Sequence, residues 1–353
     1  MDLETLRKGI DDIDDELIAL LNKRMAYVKS IGELKKEKNE IIYRPEREKA
    51  ILERLYKKEG LLSKKSIEAI FMEIFAVSRN LELPEKIAYL GPLGSFTHQA
   101  AESRFGAMSE YLSFGSIKSV FQAVDTGKTR FGVVPIENNQ EGIVSETLDL
   151  LDKLDLKIVA EVPMSIHFSF ASTSEEIKKV KKIYSKDIAF RQCKTFIEDM
   201  FGEDITLVAV ESTSKAAKLA AEEEGTAAIC SHIAAQSFHV PILFENIEDS
   251  ADNQTRFIII ARDAMNQKGG DDKTTILAKL SHQPGALVNF LQEFHEANIN
   301  LTKIESRPAK KRKSFKYWFL IDFEGHYQDE AVRHILEKYK DNIKLLGSYP
   351  KLC

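Results

Sequence analysis

The sequence predicts a multidomain chain: an all-helical N-terminal unit, a two-lobed α/β unit in the middle, and a small β-α-β-β-α-β unit at the end. Three observations predict it. Apolar residues step by three and four from Leu3 to Leu34, and from Ile87 short apolar strands alternate with polar turns and helices. After Gly269-Gly270-Asp271-Asp272, a linker composition, the elements read strand, helix, strand, strand, helix, strand. The expected boundaries are 1–83, 86–264 and 272–353. A length of 353 residues agrees with that division, since domains usually run to about 100–200 residues.

Composition removes several function classes. Hydrophobic residues at 43% and charged residues at 30% exclude a collagen-like or mainly disordered chain. With 50 Lys plus Arg against 55 Asp plus Glu, the net charge of −5 argues against nucleic acid or an anionic membrane as partner. Cys193, Cys230 and Cys353 lie far apart with no C-x-x-C spacing, so neither a metal site nor a disulfide framework is expected. Met1-Asp2-Leu3-Glu4 does not open a signal peptide, and no long apolar run occurs. A reducing, cytoplasmic setting is the expectation.

In the helical unit, Leu3, Leu6, Ile10, Ile13, Leu17 and Leu20 form an a/d seam whose register continues through Arg24, Tyr27, Ile31 and Leu34. Gly9 and Gly32 are its weak points. A helix of nearly 40 residues would be about 55–60 Å long, too long for 80 residues to cover by folding back. An intertwined homodimer is therefore expected. Pro45 suits a first-turn position, opening a second helix from Glu46 to about Lys58 that stops at Gly60. Ser63 can cap a third helix carrying Ile67, Ile70, Phe71, Ile74, Phe75 and Leu81, which Pro84 ends.

Arg24 occupies a seam position where an apolar residue belongs, and Lys35 follows eleven residues later, three turns on and on the same face. Arg7 lies near the helix start, while Arg47 and Glu48 open the second helix. Clustered cations call for an anionic ligand, and Arg suits bidentate carboxylate recognition. Spacing alone leans instead to surface ion pairs with Asp11, Asp12, Asp14 and Glu16.

A family resemblance shifts that balance. Leu6-Arg7, Ile10-Asp11, Ile13-Asp14, Leu20-Leu21, Arg24, Gly32-Glu33-Leu34-Lys35 and Arg44-Pro45-Glu46-Arg47-Glu48 together resemble the all-helical chorismate mutases, over residues 3–82. The resemblance implies that Arg7 reaches the neighbouring chain's site, where Arg7, Arg24 and Arg47 hold the two carboxylates of chorismate. It implies that Glu48 accepts from the substrate hydroxyl and that Lys35 bonds the ether oxygen. Ser78 and Glu82, four apart on the third helix, face the same site in the resemblance. The resemblance implies a unimolecular rearrangement to prephenate without a cofactor, with catalysis coming from conformer selection and charge stabilisation at the breaking ether bond. An ionised carboxylate would repel that oxygen, so Glu82 is expected to work protonated, with activity falling as pH rises and Glu82→Gln flattening the profile. Arg44 is assigned no role.

In the middle unit the strand candidates Ile87–Leu90, Phe131–Val134, Leu207–Val210 and Arg256–Ala261 alternate with turns and helices, which predicts mainly parallel pairing. Turns rich in Gly, Ser, Thr and Asn after the first three suggest N–H groups and hydroxyls around an anion, in a cleft between two lobes. The polar run Asp252-Asn253-Gln254-Thr255-Arg256-Phe257 before an apolar strand reads equally as a strand entry. Gly91-Pro92-Leu93-Gly94-Ser95-Phe96-Thr97, Pro135-Ile136-Glu137-Asn138-Asn139-Gln140-Glu141-Gly142, Glu211-Ser212-Thr213-Ser214 and Asn253-Gln254-Thr255-Arg256-Phe257 resemble the prephenate dehydratases, across residues 86–262. That family implies a two-lobed, periplasmic-binding-like fold with a central cleft. There Thr255 would assist departure of the substrate hydroxyl while the ring loses CO₂ and becomes aromatic. Arg256 would anchor a carboxylate or shape the cleft, with Ser95, Thr97, Asn138, Ser212 and Thr213 as further donors. Cys193, in a stretch that follows the family pattern loosely, is expected to pack rather than to act as a nucleophile.

The C-terminal elements are expected at Thr274–Leu280, Gly285–Ala297, Ile299–Ser306, Phe315–Glu324, Asp329–Tyr339 and Ile343–Tyr349. Lys310-Lys311-Arg312-Lys313 reads as a solvated hairpin turn, not a nucleic-acid contact. His282-Gln283-Pro284-Gly285-Ala286-Leu287-Val288 and Glu305-Ser306-Arg307-Pro308 resemble the signature segments of the ferredoxin-like ACT domain attached to prephenate dehydratases. The resemblance implies that these segments bind phenylalanine at a domain interface as a feedback inhibitor. Together the three resemblances are to a bifunctional enzyme that carries chorismate through prephenate to phenylpyruvate. The competing class is a binding protein whose cleft holds an aromatic acid without turnover.

Overall fold

Helix α1 (Leu3–Lys38) is a continuous rod of 36 residues, about 54 Å long. The computed structural model describes every residue except 1, 39–42, 59, 85, 175, 203, 263–264, 309–316 and 353. Helix α2 (Pro45–Leu55) starts on its proline, and α3 (Lys64–Glu82) starts where Ser63 Oγ accepts from the Ser66 N–H. Only one stripe of α1 meets α3: Arg24, Met25, Gly32 and Lys35 all touch it, with Val28 buried between them. Gly32 is a close approach and not a weak point, since a Cβ there would lie 3.2 Å from the Glu82 Cα. The rest of the seam is bare in the single chain: Leu6 is 49% exposed, Ile13 64% and Ile31 47%.

The first lobe of the middle unit contains β1 (Lys86–Leu90), α4 (Phe96–Phe105), β2 (Glu110–Phe114), α5 (Ile117–Asp125), β3 (Phe131–Asn138), β4 (Gly142–Ile143), α6 (Ser145–Lys153) and β5 (Leu156–Ser165). The second contains β6 (Ser169–Ser172), β7 (Lys182–Ser185), α7 (Asp187–Gln192), α8 (Lys194–Phe201), β8 (Thr206–Ala209), α9 (Thr213–Glu222), β9 (Thr226–Cys230), α10 (His232–Ser237) and β10 (Ile242–Phe244). Strand β11 (Gln254–Arg262) then returns to the first lobe, giving sheet orders β2-β1-β3-β11-β5, with β4 on β3, and β10-β6-β9-β7-β8. Pairing is mixed, which corrects the mainly parallel expectation. β1 with β2 and β3, and β7 with β8 and β9, are parallel, whereas β11 lies antiparallel to both β3 and β5. The cause is the double crossing between lobes: β5 leads out and β11 comes back beside it. Ile258, Ile259 and Ile260 are fully buried, as a central strand covered on both faces requires.

The third unit runs β12 (Asp272–Ala278), α11 (Ala286–Glu296), β13 (Leu301–Pro308), β14 (Tyr317–Glu324), α12 (Glu330–Lys338) and β15 (Ile343–Pro350). Its sheet order is β13-β14-β12-β15 with every neighbour antiparallel, the arrangement of a split βαβ fold. Phe290, Phe294, Ile321 and Phe323 fill the space between helices and sheet. The basic run 310–313 lies outside the described residues. No described helix is long and apolar enough to cross a membrane.

The three units pack on one another. Tyr43, just before α2, is buried against Phe105 and Phe131 of the first lobe. Strand β15 lies against β5, where a Cβ at Gly347 would sit 2.1 Å from the Ile158 carbonyl oxygen.

Candidate active sites

The first cavity, about 690 Å³, opens between the three N-terminal helices and is lined by Arg24, Lys35, Arg47, Glu48, Ser78 and Glu82 among others. Arg24 and Lys35 share a face as their three-turn spacing requires, and they turn toward α3 rather than to the acids of the first turns. Arg24 Nη1 donates to Ser78 Oγ at 2.5 Å, and Lys35 Nζ stands 2.9 Å from Glu82 Oε2. Burial draws the Arg24 guanidinium below its ordinary pKa, an effect that the charge of Glu82 opposes. Glu48 is buried at the start of α2; its Oε1 accepts from Arg79, and its Oε2 has no hydrogen-bond partner among the described residues. That second oxygen is a ready acceptor for a ligand hydroxyl.

One expectation changes here. Glu82 was expected to present a proton from an apolar pocket, but its carboxylate oxygen meets the Lys35 ammonium. Arg7, expected to serve the neighbouring chain, lies outside its own chain's cavity: it is exposed on α1 seventeen positions before Arg24, about 25 Å away along the helix axis. Arg79 was missed. It is buried, follows Ser78 on α3 and braces Glu48, but in sequence it looks like any charged residue on an amphipathic helix. Arg44, given no role, lines the cavity and pairs with Glu46 at 3.3 Å.

The second cavity, about 340 Å³, lies between the lobes of the middle unit. Ser95, Asn138, Ser212, Thr213 and Thr255 all line it, converging from the start of α4, the end of β3, the start of α9 and β11. Asn138 Nδ2 donates to Thr255 Oγ1 at 2.9 Å, while Asn138 Oδ1 accepts from the N–H groups of Gln140 and Glu141 at 2.9 and 3.0 Å. Thr255 thus has its oxygen engaged by an amide that is itself pinned, which leaves its own hydrogen to donate. Ser95 and Ser212 cap helices, accepting from the N–H groups of His98 and Lys215. The Ser95 hydroxyl also donates to the Leu90 carbonyl at 2.8 Å, so it holds the turn more than it serves the cleft.

Thr97 and Arg256 are corrections. Thr97, in the first turn of α4, is buried and does not line the cleft. Arg256 cannot, because successive residues of a strand face opposite ways. With Thr255 turned to the cleft, Arg256 enters a buried cluster beneath the sheet, with Asp322 at 2.7 Å, Glu137 at 3.3 Å and Glu161 at 3.4 Å. Burial would weaken its hold on the proton, but the surrounding acids, led by Asp322, reverse that and raise its pKa. Asp322 belongs to β14, so this arginine ties the middle unit to the third. Arg256→Ala is expected to destabilise the chain by about 3–5 kcal/mol, since it strands a buried carboxylate. The check is a lowered chemical-denaturation midpoint in the intact protein.

Lys186, Gln192 and Asn253 also line the cleft and were not singled out. Asn253 sits inside a quoted motif, and Lys186 and Gln192 lie in the loosely matching stretch that ends at Cys193. Cys193 is fully buried and burial drives its thiol pKa far upward, so it packs, as expected, and is no nucleophile.

In the third unit, Gly285 holds a left-handed φ of +82° as N-cap of α11, followed by Ala286, Leu287 and Val288. Glu305, Ser306 and Arg307 lie on β13, one of the two edge strands of the sheet. Val288 is 65% exposed and Ile304, on β13, 46%, so each segment leaves an apolar side chain open in a single chain.

Comparison with known proteins decides the family. Residues 6–83 match the family model of chorismate mutase type II, and residues 87–265 match that of prephenate dehydratase. Over 358 residues the chain is 42% identical to the bifunctional chorismate mutase/prephenate dehydratase of Aquifex aeolicus, spanning 99% of this chain and 98% of that one. The chain belongs to the bifunctional chorismate mutase/prephenate dehydratase family. A second member of that family, from Pseudomonas aeruginosa, is 36% identical over 359 residues, 99% of this chain and 98% of its own. The crystal structure of an Arthrobacter aurescens prephenate dehydratase in complex with L-Phe is 31% identical, covers 75% of this chain and 90% of that one, and superposes with a TM-score of 0.67. As a bifunctional chorismate mutase/prephenate dehydratase, the chain carries both activities and serves phenylalanine biosynthesis. The reading of a binding protein without turnover falls away.

Proposed function

We propose that the helical cavity is where chorismate rearranges and the inter-lobe cleft is where prephenate loses water and CO₂. In the first, Arg24, Arg47 and the partner chain's copy of the Arg7 position grip the two carboxylates. Glu48 Oε2 accepts from the hydroxyl, and Lys35 stabilises charge on the ether oxygen. Ser78 keeps Arg24 aimed. In the second, Thr255 donates to the departing hydroxyl, with the Asn138 amide fixing the direction of that donation. Aromatisation supplies the driving force. With Arg256 committed elsewhere, the carboxylates fall to Lys186 and to the start of α9, where Ser212 and Thr213 stand.

The observation that carries this reading is the bare seam of α1. An apolar stripe open along most of a 36-residue helix, with Arg7 far from its own cavity, fits an intertwined homodimer in which each helix covers the other. We read the third unit as an ACT domain whose 285–288 and 305–307 segments bind phenylalanine when a second copy closes over them. The L-Phe complex of the Arthrobacter relative supports that reading. The enzyme would work in the cytoplasm, without a cofactor. The test follows chorismate loss and phenylpyruvate formation during a phenylalanine titration, with solution mass measured alongside. A dimer or larger assembly, and dehydration that falls as phenylalanine rises, are expected. A monomer active in both reactions would refute the trans-acting Arg7.

A further inference from the structure

The helical cavity is not made of helices alone: Gln267, Lys268 and Gly269, from the connection between the second and third units, form part of its wall. Around them α2 is strapped to the third unit. Lys49 Nζ pairs with Asp271 Oδ2 at 2.7 Å and also donates to the carbonyls of Asp271 and Lys351, at 3.4 and 3.2 Å. The connection itself is set from below, where Asp272 Oδ2 accepts from the N–H groups of Gly269 and Gly270. Glycine is needed at 269, because a Cβ would meet Asp272 Oδ1 at 2.9 Å and Glu46 Cβ at 3.3 Å. Arg47 and Glu48 therefore stand on a helix turn whose outer side rests on another unit of the chain.

We propose that Lys49 and Asp271 are positioning residues for the mutase reaction, the strap between them setting where Arg47 and Glu48 meet chorismate. This rests on reading the helical cavity as the rearrangement site. An ordinary exposed ion pair contributes little, but Lys49 also bonds two carbonyls from separate segments, which fixes its direction as well as its distance. A shift of the third unit against α2 would then be felt as a change in chorismate affinity.

The test uses the full-length chain. Lys49→Ala, which removes all three bonds, is expected to raise the KM for chorismate about fivefold or more, the low end of typical coupling between sites, with kcat changed less than about twofold. Asp271→Asn should raise it less. Lys49→Arg should restore it, and the kinetics of prephenate dehydration should stay unchanged throughout. An unaltered KM in both Lys49→Ala and Asp271→Asn overturns the proposal, as does a parallel loss of dehydratase activity or a failure of Lys49→Arg to rescue. Arg24→Ala in the same assay separates the two questions: if it leaves rearrangement intact, the cavity assignment itself has failed.

Discussion

Thr255→Val is expected to lower prephenate dehydration by about 10²–10⁴-fold, the range that a positioned proton donor contributes, while chorismate rearrangement continues undiminished. Valine keeps the branched shape and the strand preference of threonine but removes the hydroxyl. Strand β11 is central in its sheet, hydrogen-bonded to β3 on one side and β5 on the other, so the backbone should not move. Only the donor disappears. The Asn138 amide then loses one acceptor, but it keeps Asn253 Oδ1 at 2.8 Å and the Gln254 carbonyl at 3.1 Å. The check is kcat for phenylpyruvate formation at saturating prephenate, beside the rate of chorismate loss. Dehydration within about tenfold of the parent would remove Thr255 from the chemistry.

The second large effect is expected in the other reaction. Lys35→Ala should cost about 10²–10³-fold in kcat for chorismate rearrangement, comparable to losing one donor to a developing oxyanion. Arg24→Ala should show mostly as a raised KM, because it removes a carboxylate grip made in both the ground and transition states. Neither change touches the inter-lobe cleft, so dehydration of added prephenate should be unaltered. The two variants divide binding from charge stabilisation on a single helix face. If both left rearrangement unimpaired, the helical cavity would not be its site.

Much of this was legible in the sequence, for reasons that can be named. Helix periodicity put Arg24 and Lys35 on one face, and Pro45 and Ser63 mark the starts of α2 and α3 because only local chemistry is involved. The α11 start at Gly285 was readable for the same cause. What failed were inferences about partners distant in sequence. β11 pairs antiparallel to β3 across more than a hundred residues, and no local pattern announces that. Gly32 looked like a weak point until α3 was seen against it. Arg256 is different: the error was avoidable. Thr255 and Arg256 are neighbours in an extended strand, and a period of two forbids both from entering one cleft. Adjacency in a motif was taken as adjacency in space. The contact between Glu82 and Lys35 belongs with the distant partners, since it depends on how closely two helices approach.

That alternation along β11 has a consequence for how this chain can change over generations. One residue faces the reacting molecule and the next fastens two folding units together, so the strand cannot slide by a single position without exchanging hydroxyl for guanidinium. Insertions and deletions should accordingly be tolerated in the loops around β11 and not within it, leaving substrate preference to drift through side chains on the opposite wall of the crevice.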